Sequence, residues 1–340
     1  MRRVIGSITL GLGFALIAIG LLARPVMYDN LATVPLDQKS TSVSMGQNMS
    51  ALHLYKGEDG AAKYDKLTGV TLKSTREVRG IPGVVTPQHR ETEAFWQTGV
   101  TSEAIGVGKL TFSQEGVSFN RTTGQSTNCC GDFKSAGDLD NPEKTVAAVH
   151  EGLFFKFPFA VEKATYKWWD GDLGEAVDMK YVRNDTLFGT DTYVFEQVTP
   201  RTEVATREVP AAIFGGEGDV PAKVMYANTR TLWVEPNTGV IIKGQEVLDK
   251  SLVSDLGEVA TTKGTIGYDE KTVRDNAEAW GSKGRLLGFV GGPLMPVSIT
   301  LGLILVGLGL FLVGRSNSPR PQPEPAVRVD QLMETRRSRN

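Results

Sequence analysis

The sequence VMYANTRTLWVEPNTGVIIKGQEVL (224–248) is typical of two antiparallel β-strands joined by a tight turn. Both arms are rich in aliphatic, aromatic and Thr residues, which favour strands. Between the arms, Pro236 fixes φ and Gly239 supplies the position that needs a positive φ. This stretch therefore predicts a hairpin and indicates a fold built on antiparallel sheet.

Similar patterns extend on either side of this hairpin. Residues 68–78 predict a further strand, and residues 108–124 predict a second hairpin with another Thr-Gly pair at its end. The two hairpins share too few residues to establish a repeat. Residues 142–152 predict a short helix, and residues 269–283 predict a longer one with an apolar stripe. Residues 25–285 are thus predicted to form a mainly β (α+β) domain; a division of this domain into two subdomains is the alternative.

Both ends of the chain are apolar. Residues 4–22 and residues 286–313 contain no charged residue, and each is long enough as a helix to cross about 30 Å of hydrocarbon. The alternative for the first segment is a cleavable signal peptide, because Arg2 and Arg3 precede it. Its apolar core is longer than the roughly 7–15 residues typical of such signals. We predict an N-terminal anchor at residues 1–24 and a transmembrane helix at residues 286–313.

Basic residues flank these segments. Arg2 and Arg3 precede the first segment, and six arginines lie in residues 314–340. Because positive charge is retained on the cytoplasmic side, both termini are predicted to be cytoplasmic and residues 25–285 extracytoplasmic, with the protein in the cytoplasmic membrane. The tail at residues 314–340 is Pro-rich and charged, which predicts disorder.

The composition argues against several functions. The formal net charge is −2, so the chain lacks the basic character expected of a nucleic-acid-binding protein. Its three histidines have no metal-ligand spacing with Cys, Asp or Glu, and no nucleophile elbow, P-loop or dinucleotide fingerprint occurs. We predict a non-enzymatic protein with no metal, no cofactor and no nucleic-acid partner.

Small residues recur within the apolar segments. Ser7, Gly11 and Ala15 lie four residues apart, as do Ser298 and Gly302. Faces of this kind allow helices to approach closely. They predict either that the two anchors pack on each other or that they dock onto a membrane transporter, unless the pattern only reflects the abundance of glycine in membrane helices.

The only cysteines, Cys129 and Cys130, are adjacent. Thiols outside the cytoplasm tend to oxidise, and the Cα separation of adjacent residues, about 3.8 Å, is shorter than in an ordinary disulfide. A bond between the two would close a tight ring and lock a turn while adding little entropic stabilisation. We predict this vicinal disulfide; the alternatives are bonds to other chains and free thiols.

Aromatic residues are concentrated between residues 152 and 170. One interpretation is structural, with Phe155, Phe157 and Phe159 on one face of a buried strand. The other is an apolar groove or membrane-facing lip for a lipid-like ligand, which the adjacent pairs favour because neighbours on a strand point to opposite faces. The set comprises Phe154, Phe155, Phe157, Phe159, Tyr166, Trp168 and Trp169.

Four motifs lie between the apolar ends: Cys-Cys-Gly-Asp (129–132), Phe-Pro-Phe (157–159), Tyr166 with Trp169-Asp170, and Val-Glu-Pro-Asn-Thr-Gly (234–239). In this combination the chain resembles, over nearly its full length, the actinobacterial envelope family known as the porin PorA family. The resemblance implies a bacterial envelope of the mycolate or a related Gram-positive type. It implies no catalytic residues.

The predicted elements fit poorly with a pore. A transmembrane barrel needs strands of about 9–11 residues with an apolar lipid-facing side, whereas the strands predicted here are short and polar. We predict instead that the exported domain binds or helps to transfer an envelope lipid or another apolar ligand. The alternatives are an accessory subunit of an envelope transporter or assembly complex, and a porin-type pore component. The expected partners are the cytoplasmic membrane, an envelope lipid, and a membrane transporter or envelope protein.

Overall fold

The computed structural model describes residues 2–315, apart from residues 59, 61, 138–140 and 142. The chain divides into two compact units. The β unit is Pro25–Gly292, and the helical unit contains the helices at the two ends of the chain. From residue 316 onward, the predicted tail lies outside the described residues.

Four α-helices are present in the described part of the chain, and two of them could cross a membrane by length and composition. They are α1 (Arg2–Leu22), α2 (Asp29–Leu31), α3 (Glu270–Gly291) and α4 (Leu294–Arg315). A π-helical stretch (Ala23–Tyr28) joins α1 to α2. The predicted second span began at residue 286, but residues 286–291 belong to α3, where Leu287 and Val290 are buried.

Helices α1 and α4 pack antiparallel through small residues. Gly6, Gly13 and Gly20 are the buried residues of α1. A Cβ at Gly13 would lie 2.8 Å from the carbonyl oxygen of Gly302, and one at Gly20 would lie 3.2 Å from the Cβ of Ser298. Glycine is therefore required for the backbones to come this close.

The small-residue face predicted on α1 is wrong. Ser7, Gly11 and Ala15 are exposed, and no atom lies within 4 Å of a Cβ built at Gly11. The contact face instead repeats at Gly6, Gly13 and Gly20, because a spacing of about seven residues keeps positions on one side of a closely packed helix. On α4, the predicted residues Ser298 and Gly302 lie in the contact.

The β unit is built on one antiparallel sheet of twelve described strands. The strands are β1 (Lys39–Lys56), β2 (Ala62–Gly80), β3 (Glu93–Ala104), β4 (Gly108–Asn120), β5 (Phe133–Ser135), β6 (Thr145–Ala147), β7 (Thr165–Asp170), β8 (Glu175–Leu187), β9 (Thr190–Pro210), β10 (Asp219–Val234), β11 (Ile241–Ser254) and β12 (Gly257–Tyr268). A short 3₁₀ helix, Ala211–Phe214, joins β9 to β10.

The order of the strands is β6-β5-β4-β3-β2-β1-β12-β11-β10-β9-β8-β7. The chain thus starts in the middle of the sheet, steps outward to β6, crosses to the opposite edge at β7 and steps back to the middle. The two meanders meet where β1 pairs with β12, with Ser44 opposite Tyr268.

The crossing between β6 and β7 brings the two halves of the sheet together. Isolated bridges join Phe119 to Ser126, Gln125 to Leu153, and Leu153 to Trp168. Leu153 is fully buried and belongs to the largest core cluster of the β unit. The residues that follow it are therefore held between the two meanders.

The predicted hairpin at residues 224–248 is confirmed, because β10 and β11 pair antiparallel and flank the predicted turn. The hairpin predicted at residues 108–124 is wrong. That segment forms the single strand β4, which pairs with β3 from Gly108 to Asn120. The short helix predicted at residues 142–152 is also wrong: Thr145–Ala147 is a strand paired with β5, and Pro142 lies outside the described residues.

The helix predicted at residues 269–283 is confirmed as part of α3. The side chain of Asp269 caps its first turn by accepting a hydrogen bond of 2.7 Å from the backbone N–H of Thr272. Val273 and Ala277 are buried against the β unit. Trp280 packs on the same cluster, so this indole lies against the sheet.

Candidate functional site

The β unit contains an apolar cavity of about 340 Å³. Its walls come from the linker after α2, strands β1–β3, the segment between β6 and β7, the turn before β11, and α3. The lining residues are Leu31, Thr33, Val34, Pro35, Gln38, Ser40, Thr41, Ser42, Arg76, Val78, Trp96, Phe155, Lys156, Phe159, Thr238, Val240, Ile241, Tyr268, Asn276, Trp280, Lys283, Leu286 and Leu287.

One wall of the cavity is aromatic. Trp96, Phe155 and Phe159 pack in a single hydrophobic cluster, and the ring centroids of Trp96 and Phe155 are 5.3 Å apart. The indole N–H of Trp96 donates to the carbonyl oxygen of Pro35 at 3.2 Å. That bond leaves the indole without a free polar atom, so the ring presents an apolar surface to the cavity.

Backbone hydrogen bonds hold the segment that carries this wall. The N–H of Phe157 donates to the carbonyl oxygen of Gly239 at 2.9 Å, and that of Ala160 donates to Asn237 at 3.0 Å. Pro158 between them has no N–H to donate. Residues 155–159 are therefore fixed on the turn before β11 and not in a β-ladder.

A lysine lies buried within this apolar segment. Lys156 is 4% exposed, and its ammonium group sits 3.5 Å from the ring centroid of Phe159. The Nζ atom has no hydrogen-bond partner among the described residues. Burial disfavours the charged form and lowers the pKa of Lys156 to about 7.

Two more basic side chains line the cavity. Arg76 donates from Nε to the hydroxyl of Thr98 at 3.1 Å, and its guanidinium lies 5.8 Å from the ring centroid of Phe155. Lys283, on α3, places its ammonium 4.6 Å from the ring centroid of Trp280. Among the described residues, no acidic side chain lines the cavity. The site therefore combines an apolar wall with positive charge.

The aromatic residues singled out from the sequence divide into three groups. Only Phe155 and Phe159 line the cavity. Phe157, Tyr166 and Trp168 belong to the largest core cluster, and the remaining pair, Phe154 and Trp169, packs around Val117. The predicted groove is thus formed by a minority of the set, and most of these rings stabilise the core.

The predicted buried strand through Phe155, Phe157 and Phe159 is wrong, because the backbone there is irregular until β7 begins at Thr165. The cavity also uses residues that were not predicted as a site, above all Trp96 and Lys156. A lysine flanked by phenylalanines was the available signal for Lys156. Trp96 gave no such signal.

The predicted vicinal disulfide is confirmed: Cys129 and Cys130 are bonded to each other, with their Cα atoms 3.7 Å apart. The bonded pair is followed by Gly131, at φ +81°, and the buried Asp132. The Asp132 carboxylate accepts from the N–H of Ser118 at 3.0 Å, and the Ser118 hydroxyl accepts from the N–H of Cys129 at 2.9 Å. The loop is tied to β4 by these bonds.

A buried histidine lies beneath the disulfide loop. His150 is 1% exposed. Its Nδ1 lies 3.2 Å from the carboxylate of Asp132, and its Nε2 lies 3.0 Å from that of Glu115. Burial alone would lower the pKa of His150, but the hydrogen bonds and charges of the two carboxylates outweigh it and raise the pKa. Trp169 also donates to Glu115, at 3.1 Å.

In the described part of the chain, no group of three or more His, Cys, Asp or Glu side chains is arranged to hold an ion. A second cavity, of about 860 Å³, has a more polar lining that includes Asp191, Glu235 and Arg285. The Glu235 carboxylate is already occupied by the hydroxyl and N–H of Thr238. The apolar cavity is therefore the better candidate site.

These features define a class: a mainly β unit with an apolar, basic-lined cavity, in a chain that has an apolar helix at each end. The family model of Porin PorA matches residues 5–311, and the chain belongs to this family. The match confirms the resemblance drawn from the sequence motifs.

Two relatives and one solved structure are similar to this chain. A Porin PorA from Corynebacterium amycolatum is 23% identical over 387 aligned positions, which cover 93% of this chain and 100% of the relative. A Porin PorA from Corynebacterium resistens is 24% identical over 144 positions, covering 28% of this chain and 35% of that relative. A crystal structure of a DUF1329 family protein from Desulfovibrio piger is 12% identical, and the match covers 76% of this chain and 89% of that protein. Its TM-score of 0.22 is too low to indicate a shared fold.

Proposed function

We propose that this protein is a non-enzymatic, membrane-anchored envelope protein whose exported β unit binds an amphipathic ligand, such as an envelope lipid, in the apolar cavity. The cavity itself is the observation that carries the proposal. Its volume of about 340 Å³ falls within the range of about 300–1,000 Å³ found for small-molecule sites. Apolar walls with a few placed polar groups are typical of such sites.

The helical unit supports the membrane anchoring in this proposal. Because α1 and α4 are antiparallel, Gly6 lies beside Gly309, so the start of α1 and the end of α4 are at the same end of the helix pair. In a bilayer these ends would lie on one side. Arg2, Arg3 and Arg315 stand there, so the preference of basic residues for the cytoplasm favours cytoplasmic termini and an exported β unit.

Quenching of tryptophan fluorescence tests ligand binding. The full chain in mild detergent is titrated with 11-bromoundecanol, whose bromine quenches an indole on contact, and the indoles of Trp96 and Trp280 line the cavity. We expect saturable quenching. Ser42→Phe places a ring in the cavity and should weaken binding about tenfold or more, a loss of about 1.4 kcal/mol.

Ser50→Phe is the matched control, because Ser50 is on the same strand but does not line the cavity. It should bind like the unchanged chain. Quenching that never saturates, or that is equal in Ser42→Phe and the unchanged chain, would contradict the proposal.

A pore is the second candidate, because both relatives carry the name porin. The charges on β2 are unfavourable for a lipid-facing strand, since Lys63, Asp65, Lys66, Glu77 and Arg79 are exposed along it. Conductance of the purified chain in planar bilayers decides between the two. We expect no channels at protein concentrations that give saturable quenching; stepwise conductance would favour the pore.

A further inference from the structure

The starting point is the unpartnered amine of Lys156. A buried polar group without a hydrogen bond is costly, and nearly all such groups in proteins are satisfied by protein or by a bound molecule. Lys156 is 4% exposed and lines the cavity, and its Nζ, 3.5 Å from the ring centroid of Phe159, has no hydrogen-bond partner among the described residues. Nζ is itself buried, so the flexible side chain turns toward the cavity when a ligand there supplies the missing acceptor.

The charged side chains around the cavity indicate whether the ligand group that accepts this hydrogen bond is negatively or positively charged. Besides Lys156, the ionisable side chains that line it are Arg76 on β2, Tyr268 on β12 and Lys283 on α3. Three of these four groups are basic, and none of the described lining residues is acidic. Basic groups in an apolar site of low dielectric favour an anion and disfavour a cationic headgroup.

The volume of the cavity indicates the size of the apolar part of the ligand. About 340 Å³ is near the lower end of the range of about 300–1,000 Å³ for ligand sites. A volume of this order favours one acyl chain of moderate length over the paired chains of a phospholipid. The wall of Trp96, Phe155 and Phe159 matches such a chain chemically.

We propose that the cavity binds a single-chain amphiphile with an acidic headgroup, and that the ammonium group of Lys156 binds the headgroup. The inference rests on the proposed function and names its ligand class. The ion pair and the placement of the chain on the aromatic wall then satisfy Lys156 and the apolar surface together.

Binding of an acid should depend on pH. Burial lowers the pKa of Lys156 to about 7, so the amine of the empty site loses its proton as pH rises above 7. An anion needs the ammonium form, and its affinity should fall about tenfold for each pH unit above 7 until the pKa of the occupied site is reached. A neutral alcohol has no such requirement.

The experiment compares two probes that differ only in headgroup, 11-bromoundecanoate and 11-bromoundecanol, by the same quenching assay on the full chain. At pH 6 we expect the acid to bind about tenfold or more tightly than the alcohol. Lys156→Met keeps the length of the side chain and removes the charge. It should abolish this preference, leave the alcohol bound, and raise the melting temperature of the empty protein.

Lys163→Met is the matched control, because Lys163 is an exposed lysine of the same chain segment that does not line the cavity. This variant should still bind the acid more tightly than the alcohol. Lys283→Met tests the other lysine of the cavity and should reduce the preference by less than Lys156→Met. Dodecyl phosphate, added as a competitor, distinguishes a phosphate from a carboxylate headgroup.

The outcomes separate the two proposals. If Lys156→Met still prefers the acid, or if acid affinity is constant from pH 6 to pH 9, the headgroup inference is overturned while ligand binding stands. If neither probe quenches the unchanged chain saturably, the proposed function fails as well.

Discussion

Two turns in the β unit have the same construction. The first turn, residues 120–124, follows β4, the fourth strand of the outward meander. The second turn, residues 235–239, follows β10, the fourth strand of the returning meander. In each turn the side chain of the first residue accepts hydrogen bonds from the N–H groups of the third and fourth residues, and the fifth residue is a glycine with positive φ.

The turns differ in the residue that caps them. Asn120 is partly exposed and accepts from Thr122 and Thr123 with a neutral amide oxygen. Glu235 is 3% exposed and uses a carboxylate for Asn237 and Thr238. The same turn geometry thus occurs in a partly exposed and in a buried position. In the buried turn two carboxyl oxygens accept the hydrogen bonds, whereas the partly exposed turn uses one amide oxygen.

Both turns contact the chain segment that carries Lys156. A Cβ at Gly124 would lie 2.9 Å from the carbonyl oxygen of Lys156, whereas one at Gly239 would collide with those of Phe157 and Pro158. The aromatic wall of the cavity is therefore held between two equivalent turns, and the second turn packs on it more closely.

Substitution of the two glycines should give the largest effect in this comparison. Gly239→Ala meets a positive φ and a collision with two backbone oxygens, and should lower the free energy of unfolding by about 3–4 kcal/mol. Gly124→Ala meets a positive φ and a milder contact, and should cost about 1–2 kcal/mol. Denaturant unfolding of the full chain in detergent measures both. Equal losses would contradict the closer packing of the second turn.

Substitution of the residue that caps each turn should change the free energy of unfolding by an intermediate amount. Glu235→Gln turns one acceptor into a donor facing the N–H and hydroxyl groups of Thr238 and Asn237, and should cost about 2–3 kcal/mol. Asn120→Asp keeps the acceptor in an exposed turn and should change stability by less than about 0.5 kcal/mol. The same unfolding measurement applies. A larger loss of stability for Asn120→Asp than for Glu235→Gln would contradict the expectation that the buried cap contributes more to stability than the exposed one.

The strands that lead into the turns differ in how their charges respond to pH. Glu115, five residues before the first turn, pairs with His150. Arg230 holds the equivalent position on β10 and pairs with Glu246 at 2.7 Å. The first pair includes a histidine, the side chain whose ordinary pKa lies near neutral pH, and the second does not.

The smallest predicted effect is a dependence of stability on pH. The pKa of His150 is raised in the folded state, so its contribution is complete below the ordinary value of 6.5 and is lost as pH rises through the raised pKa. The pKa of Glu246 is lowered by Arg230, although burial opposes this, so that pair loses stability only as pH falls below about 4.5. Lys156, whose pKa is lowered to about 7 in the folded state, adds stability as pH rises over the same range. In Lys156→Met, where that contribution is absent, the melting temperature should therefore decrease above neutral pH.

Two variants assign this dependence. Added to Lys156→Met, His150→Asn should remove the decrease above neutral pH, whereas Arg230→Met in the same background should lower the melting temperature without removing it. A decrease of the same size with His150→Asn added would show that another group is responsible.

Local signals explain which parts of this fold could be predicted. The second turn was identified because Pro236 and Gly239 define a turn by themselves. The hairpin predicted at residues 108–124, by contrast, is replaced by the single strand β4. Gly116 is there because a Cβ would collide with the rings of Phe133 and Phe95, a packing requirement that the local sequence does not reveal.

The residues that line the cavity could likewise be predicted only in part from local sequence. Phe155 and Phe159 were identified by their density in the sequence, but their partners Trp96 and Trp280 come from β3 and α3. The cluster of His150, Asp132 and Glu115 is also assembled from separate segments. Sites formed by distant parts of an antiparallel sheet depend on strand order, which no short motif encodes.

The pairing of the first strand with the last has a consequence for synthesis. Ser44 pairs with Tyr268 on β12. The centre of the sheet can therefore form only after the ribosome has synthesised the chain as far as Tyr268. Until then β1 exposes one unpaired edge, and such edges recruit other chains. Contacts so distant in sequence also slow folding. Until Tyr268 has been synthesised, the nascent chain therefore remains open to pairing with other chains along this edge.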